Sequence, residues 1–497
     1  MLQFRRVKPA PFISKSKFLW GLQCHKLLWH AYNAKELIPA PDASTQAIFE
    51  QGHDVGAIAK QMFPDGVEVG AGIIDPAKVI RLTEAALKLR KPLFEAAFTA
   101  DGGYCRTDIL RPSLKDAWDL IEVKSTTSLK DVHLDDLALQ TWVLCSAGLL
   151  LRKIYLCHIN SDFVRRGDID PNKFFTLVDV SDQVSELAQQ VPDKLEDMLR
   201  VIQQRKHPEV EIGSHCDDPY TCPLHDHCWK FLPDHNVFDL YRGGKKGFDL
   251  LGRDVTAIED IPDSFKLTNN QSIQRQVAIS GKPHVDSKAI AKFLARLEYP
   301  VSYLDFETFG TAIPLFDGLH PYQQVPFQFS LHVVRAAGAK PEHVMFLAEG
   351  RDDPRPEFMN TLRGALPPNG SVVAFNASFE LSRLKECCAV MPKFSPWVKD
   401  VDTRVVDLLD PFRSFDYYHP EQHGSGSMKA ALPALTGKGY EGLEIQEGNT
   451  ASNEFLRVTI GEVTAEERRR VRQQLEDYCA RDSEGMIRIV DALRRIV

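Results

Sequence analysis

Apolar and polar positions along this chain alternate with two periods, and the switches between them mark out its elements. In PFISKSKFLWGLQCHKLLWHAY, Phe18, Leu22 and Leu27 or Leu28 recur at helical intervals, so residues 12–60 are expected to be helical. Between about 93 and 125 the pattern shortens to LFEAAFT, GGYCRTDIL and AWDLIEVKS, separated by Gly, Pro and Asp, as in strands joined by turns. LDDLALQTWVLCSAGLL returns to a helical period, RKIYLCHI reads as a buried strand, and a long amphipathic helix is expected near 181–206. These elements make a first α/β domain over residues 1–240. Periodicity is weak in 241–285, where YRGGKKG, IPDSFKLTNNQ and SGKP suggest a connector. A second α/β domain is expected over 286–497, with strands in PVSYLDFET, VPFQFSLHVV and GSVVAFN and a further element in RVVDLLD. The closing helix starts at a capping box of Thr464 and Glu467 and carries a stripe of Val471, Leu475, Tyr478 and Ile487.

Composition changes this picture little. At 497 residues the chain exceeds one ordinary core, and 43% hydrophobic with 26% charged residues is normal for a globular protein. No apolar run reaches the length of a membrane span, and MLQFRRVKPAPF lacks the apolar core of a secretory signal, so a cytoplasmic protein without membrane contact is expected. The net charge of −8 argues against a simple nucleic-acid-coating protein but not against a nuclease, whose catalytic carboxylates lower the total. Of the ten cysteines, Cys105, Cys145, Cys157, Cys387, Cys388 and Cys479 read as small buried hydrophobes.

The first candidate site is Asp108 with Glu122 and Lys124. Residues two apart on a strand share a face, so Glu122 and Lys124 project together, and Asp108 joins them if the two strands are hairpin neighbours. Two carboxylates there can hold a divalent metal (Mg²⁺ or Mn²⁺) against a phosphate while Lys124 orients or helps activate water. The arrangement resembles the PD-(D/E)XK nucleases of the RecB-like and Cas4-like branch. That resemblance implies a catalytic role for Gln140 on the next helix and for an upstream metal-ligating His, for which FEQGHDVGAIAK offers His53, although Gly56 also fits the matching position. Leu144 stands where the branch usually has Tyr, and Glu95 in LFEAAF reads as a solvated strand charge.

Cys216, Cys222 and Cys228 are crowded into a turn-rich segment, and three thiols at that spacing point to a soft-metal centre. The same resemblance implies a structural [4Fe–4S] cluster completed by Cys24. A zinc site completed by His215, His225 or His227 is the alternative.

In YLDFETFG, Asp305 and Glu307 share one face of an otherwise apolar strand, which is costly unless they hold cations. VVAFNASFE supplies Asn376 and Glu380, and Tyr478 and Asp482 lie four apart on the closing helix. The ordered set resembles the DEDD exonucleases, DnaQ-like members of the RNase H-like fold. That resemblance implies two-metal hydrolysis with Tyr478 orienting water. Glu380 occupies a position where the family has Asp, leaving Asp402 and Asp407 as alternatives; Lys429 is placed to meet a phosphate, and Tyr417, Tyr418 and Trp397 are candidates for base stacking. The two halves and the cysteine cluster together resemble the DUF2779 family. The expected function is a metal-dependent nuclease that trims DNA ends, single strands preferred, in repair or in defence against foreign DNA. The alternatives are a nucleic-acid-binding scaffold with one or both sites inactive and an RNA-processing 3′–5′ exonuclease.

Overall fold

The computed structural model describes residues 12–497. The chain divides into two units, each mixed α/β. One runs to Lys230 and takes in Thr311–Tyr322; the other comprises Phe231–Gly310 and Gln323–Val497.

In the first unit, seven strands form one sheet: β1 (Ile13–Ser14), β2 (Val67–Glu68), β3 (Leu93–Ala100), β4 (Gly103–Pro112), β5 (Trp118–Lys124), β6 (Leu151–Ile159) and β7 (Phe175–Asp179). The order is β2-β3-β4-β5-β6-β7, with β1 parallel to β4. β4 and β5 are antiparallel neighbours, as the first site requires. β5 and β6 are parallel, so a crossover must join them, and the helix Asp131–Ser146 provides it. Period-2 alternation places Leu120 in one core cluster with Leu137 and Leu156, and Ile121 in another with Val55, Ala59 and Cys157. β5 is therefore covered on both faces rather than one, and Glu122 is buried between packed layers.

In the second unit, β9 (Val301–Phe309), β10 (Val325–Val334), β11 (Glu342–Leu347), β12 (Val372–Ala374) and β13 (Val405–Asp407) form a sheet ordered β11-β10-β9-β12-β13; β8 (His284–Val285) pairs with β14 (Tyr417–Tyr418). β9, β10 and β11 are antiparallel, while β12 is parallel to β9 and β13. The helix Ala465–Arg495 packs against β9 and β10.

Several expectations need correction. The chain leaves the first unit at Lys230 and returns to it over Thr311–Tyr322, and residues 241–285 are part of the second unit. Val237, Leu240, Leu250, Ile258 and Ile261 make a small core there, built from short helices and turns whose irregular spacing hides it from periodicity. The helix expected over 181–206 is two, Ser181–Ala188 and Val191–Ile202, because Pro192 stands in the first turn of the second. Only half of the capping box forms: Thr464 accepts from the Glu467 amide, whereas the Glu467 carboxylate pairs with Arg457. Tyr417 and Tyr418 are buried and not free to stack on bases, and Cys145 is exposed. No described helix is long and apolar enough to cross a membrane.

Candidate functional sites

Continuing the β4–β5 register from Ile109 opposite Ile121 sets Asp108 across from Glu122. The backbone amide of Val123 donates to Asp108 Oδ2 at 2.7 Å. Glu122 is 1% exposed. Its Oε1 accepts from Lys124 Nζ at 2.7 Å and from Lys15 Nζ at 2.6 Å, and its Oε2 accepts from Gln140 Nε2 at 2.8 Å. Asp136, one helical turn before Gln140, accepts from Lys124 at 2.6 Å and from Gln140 at 3.1 Å. Burial alone would raise Glu122, but the Lys124 and Lys15 ammoniums outweigh it and hold its carboxyl below the usual range. Asp108 is pushed up to about 7 by burial and by the Glu122 charge.

The structure thus brings Asp108, Glu122, Lys124 and Gln140 together, and adds Lys15 and Asp136, which the sequence reading missed. Asp136 carried a signal, lying four residues before Gln140 on a largely apolar helix. Lys15, far away in sequence, carried none. His53 is exposed on the helix Ala43–Lys60, unlike the buried members of the cluster. Leu144 is a fully buried core residue. Glu95 has a φ of 58°, a conformation rare for a non-glycine residue, and its carboxylate lies 3.7 Å from Lys60. The Tyr322 hydroxyl donates to the Ser125 carbonyl, next to Lys124.

Cys24, Cys216, Cys222 and Cys228 line one small cavity, together with Lys26, His215 and His225. Cys24 is the N-cap residue of the helix His25–Asn33, so its sulfur lies at the positive end of that helix. Burial, followed by the neighbouring thiols, raises Cys24 and pushes Cys222 up to about 11. Four convergent thiols fit a thiolate-bound metal centre, since metal binding supplies the charge that makes ionisation favourable.

In the second unit, Asp305 and Glu307 project from β9 toward the helix Ala465–Arg495, whose Tyr478, Cys479 and Asp482 are all buried. The ligand atoms of Asp305, Glu307 and Cys479 lie within 4.8 Å of one another. Cys479, read from the sequence as core filling, has its Sγ 3.6 Å from Asp305 Oδ2. Tyr440, also missed, donates its hydroxyl to Asp482. Glu380 sits in the first turn of the helix Ser378–Val390, its charge acts on both Asp305 and Glu307, and its Oε2 is buried without a partner. Asp402 is paired with Lys385 at 2.8 Å, and Asp407 accepts from the amides of Asn376 and Leu409. Glu380 is therefore the carboxylate left free to complete the set.

The closing helix is fixed in place by Ser483, whose hydroxyl lies 2.6 Å from Ser330 Oγ and 2.8 Å from His332 Nδ1 on β10. Burial first, and then mutual repulsion, raises Asp305 and Glu307 well above the carboxylate range. Burial pushes Glu380 up to about 8 and Asp482 up to about 7. The nearby cation Lys429 has its Nζ 5.9 Å from the Tyr478 ring centre. A cleft of 580 Å³ opens here, lined by Asp305, Tyr478 and Asp482 together with Arg242, Arg413 and Lys429. Three buried carboxylates and the half-buried Asp305, one oxygen being unpartnered, fit divalent cations.

Comparison with known proteins adds a family match. Residues 302–427 match the family described as "Domain of unknown function (DUF2779)", a stretch that contains Asp305, Glu307 and Glu380. An uncharacterised protein of Mycoplasma genitalium, MG366, is 26% identical over 212 residues, covering 38% of this chain and 31% of that protein's length. A solved structure titled "Crystal structure of SSO0001" aligns with 46% of this chain and 90% of its own at 14% identity, with a TM-score of 0.21, too low to bear on the fold.

Proposed function

We propose that this protein is a metal-dependent cytoplasmic nuclease with two sites, a RecB-like PD-(D/E)XK domain followed by a DEDD-type RNase H-like exonuclease domain. Its substrate is DNA, degraded from ends with single strands preferred, in repair or in defence against foreign DNA. The observation that carries the reading is the cluster of buried Glu307, Glu380 and Asp482 with half-buried Asp305, whose carboxyls stay raised despite the cations that reach them, Lys429, Arg481 and Arg383.

Divalent ions held by these four carboxylates would stabilise the attacking and leaving oxygens of phosphodiester hydrolysis. Tyr478, raised far above its ordinary range by burial and by Asp482, keeps its proton and can orient a water. Lys429, Arg242 and Arg413 present cations along the same cleft for backbone phosphates. In the first unit, Asp108 and Glu122 are the metal-holding pair, while Asp136 aims the Lys124 ammonium and Gln140 holds the Glu122 and Asp136 carboxylates in place. Cys24, Cys216, Cys222 and Cys228 hold a structural [4Fe–4S] cluster, with zinc as the alternative occupant.

One observation favours a second reading for the first unit alone. Lys15 and Lys124 already compensate Glu122 and Asp136, so that pocket is also consistent with an inactive, self-neutralised ion network. Incubation of anaerobically purified protein with end-labelled DNA and RNA in Mn²⁺ tests the proposal. Mononucleotide release from DNA, stopped by EDTA, is expected. Release from RNA alone would reassign the substrate, and release from neither would leave a binding protein.

A further inference from the structure

His30 is 3% exposed, and neither its Nδ1 nor its Nε2 has a hydrogen-bond partner. A neutral imidazole carries one donor and one acceptor, and leaving a buried polar group unsatisfied costs about 1–3 kcal/mol. Two other imidazoles surround it, His207 with its ring centre 5.3 Å away and His227 at 6.0 Å. Metal–nitrogen bonds of about 2.0–2.1 Å in tetrahedral geometry place imidazole centres roughly 5 Å apart. The His30–His207 pair is near that spacing, whereas His227, half-buried on the short helix His225–Trp229, stands farther out and has to move inward for the three imidazoles to share one ion.

His207 is also prepared for the role. Its Nδ1 lies 3.2 Å from the Pro208 carbonyl, which can only accept, so Nδ1 carries the proton and Nε2 keeps its lone pair. The loop bearing His207 is held against the helix His25–Asn33 by two side chains one turn apart: Trp29 Nε1 donates to the Gln204 carbonyl at 2.9 Å and Asn33 Nδ2 to that of Ile202 at 3.0 Å.

From this arrangement we infer that His30, His207 and His227 form a separate site for a late first-row divalent cation of the zinc type, bound by imidazole nitrogen. The site ties the helix His25–Asn33, the loop after Val191–Ile202 and the helix His225–Trp229 to one another. It depends on neither the nuclease reading nor the carboxylate clusters.

The test counts metals in the full chain, purified anaerobically, dialysed against EDTA and reloaded with Zn²⁺. Wild type is compared with His207→Ala, His227→Gln and His30→Phe. Each variant should retain about one equivalent of zinc less than wild type, with iron content and absorbance near ~400 nm unchanged. The half-buried His207 and His227 positions keep the comparison informative if His30→Phe does not fold. Equal zinc in wild type and in the folded variants would overturn the inference and leave the imidazoles as ring packing. Loss of iron together with zinc would also overturn it, because the histidines would then serve the cysteine centre.

Discussion

At the scale of single residues, the two acidic sites differ in how their charge is compensated. Glu122 has two ammoniums in contact, whereas Asp305, Glu307, Glu380 and Asp482 are reached at longer range by Lys429, Arg481 and Arg383. Lys15→Met should therefore destabilise the metal-free first unit by about 3 kcal/mol, the usual result of stripping one partner from a buried pair, while tightening Mn²⁺ binding there. Denaturant melts with and without Mn²⁺ check both parts; a neutral substitution would show that Lys15 is dispensable to the cluster.

The second site makes a prediction of opposite sense. Its carboxyls have folded-state values raised above their unfolded ones, to about 7 for Asp482 and about 8 for Glu380. The folded state then binds more protons than the unfolded state across that interval. Metal-free stability should accordingly fall as pH rises from about 4 to about 8, and Mn²⁺ should restore more at pH 8 than at pH 6. Asp482→Asn, whose amide oxygen can still accept from Tyr440, should raise the melting temperature in EDTA at pH 8 by several degrees while abolishing second-site activity. A lower melting temperature would mean that the carboxylate is not under strain.

At the scale of elements, strands were the most legible feature. Ile121 and Val123 flanking Glu122, and Leu304 and Phe306 flanking Asp305, carry the period-2 signal of β5 and β9. The signal failed where elements are short, as in 241–285, and where a helix is interrupted, as at Pro192. Contacts made across the fold were not legible. Cys479 looked like core filling because nothing near it in sequence reveals Asp305, and Tyr440 lies outside every recognised motif. The helix Met428–Thr436 meets the closing helix at Gly485, where an added Cβ would meet Leu432 Cδ2 at 2.9 Å. Gly485→Val should part these helices, cost about 1–3 kcal/mol and weaken nucleic-acid binding through the displaced Lys429. Unchanged stability in denaturant melts would show that the contact yields freely.

At the scale of the molecule, the sequence motifs marked both acidic clusters and three of the four convergent cysteines, and the resemblance implied the fourth, Cys24. What it could not supply was the balance of charge around each cluster, because Lys15 and Tyr440 reach their sites through folding rather than proximity in sequence. The central claim is two independent hydrolytic sites in one chain. It is tested most directly by digesting end-labelled single-stranded DNA in Mn²⁺ with wild type, Glu122→Ala, Asp305→Ala and the double variant. Each single variant should lose one component of the product pattern and keep the other, and the double variant should lose both. A double variant as active as wild type would contradict the assignment of both sites.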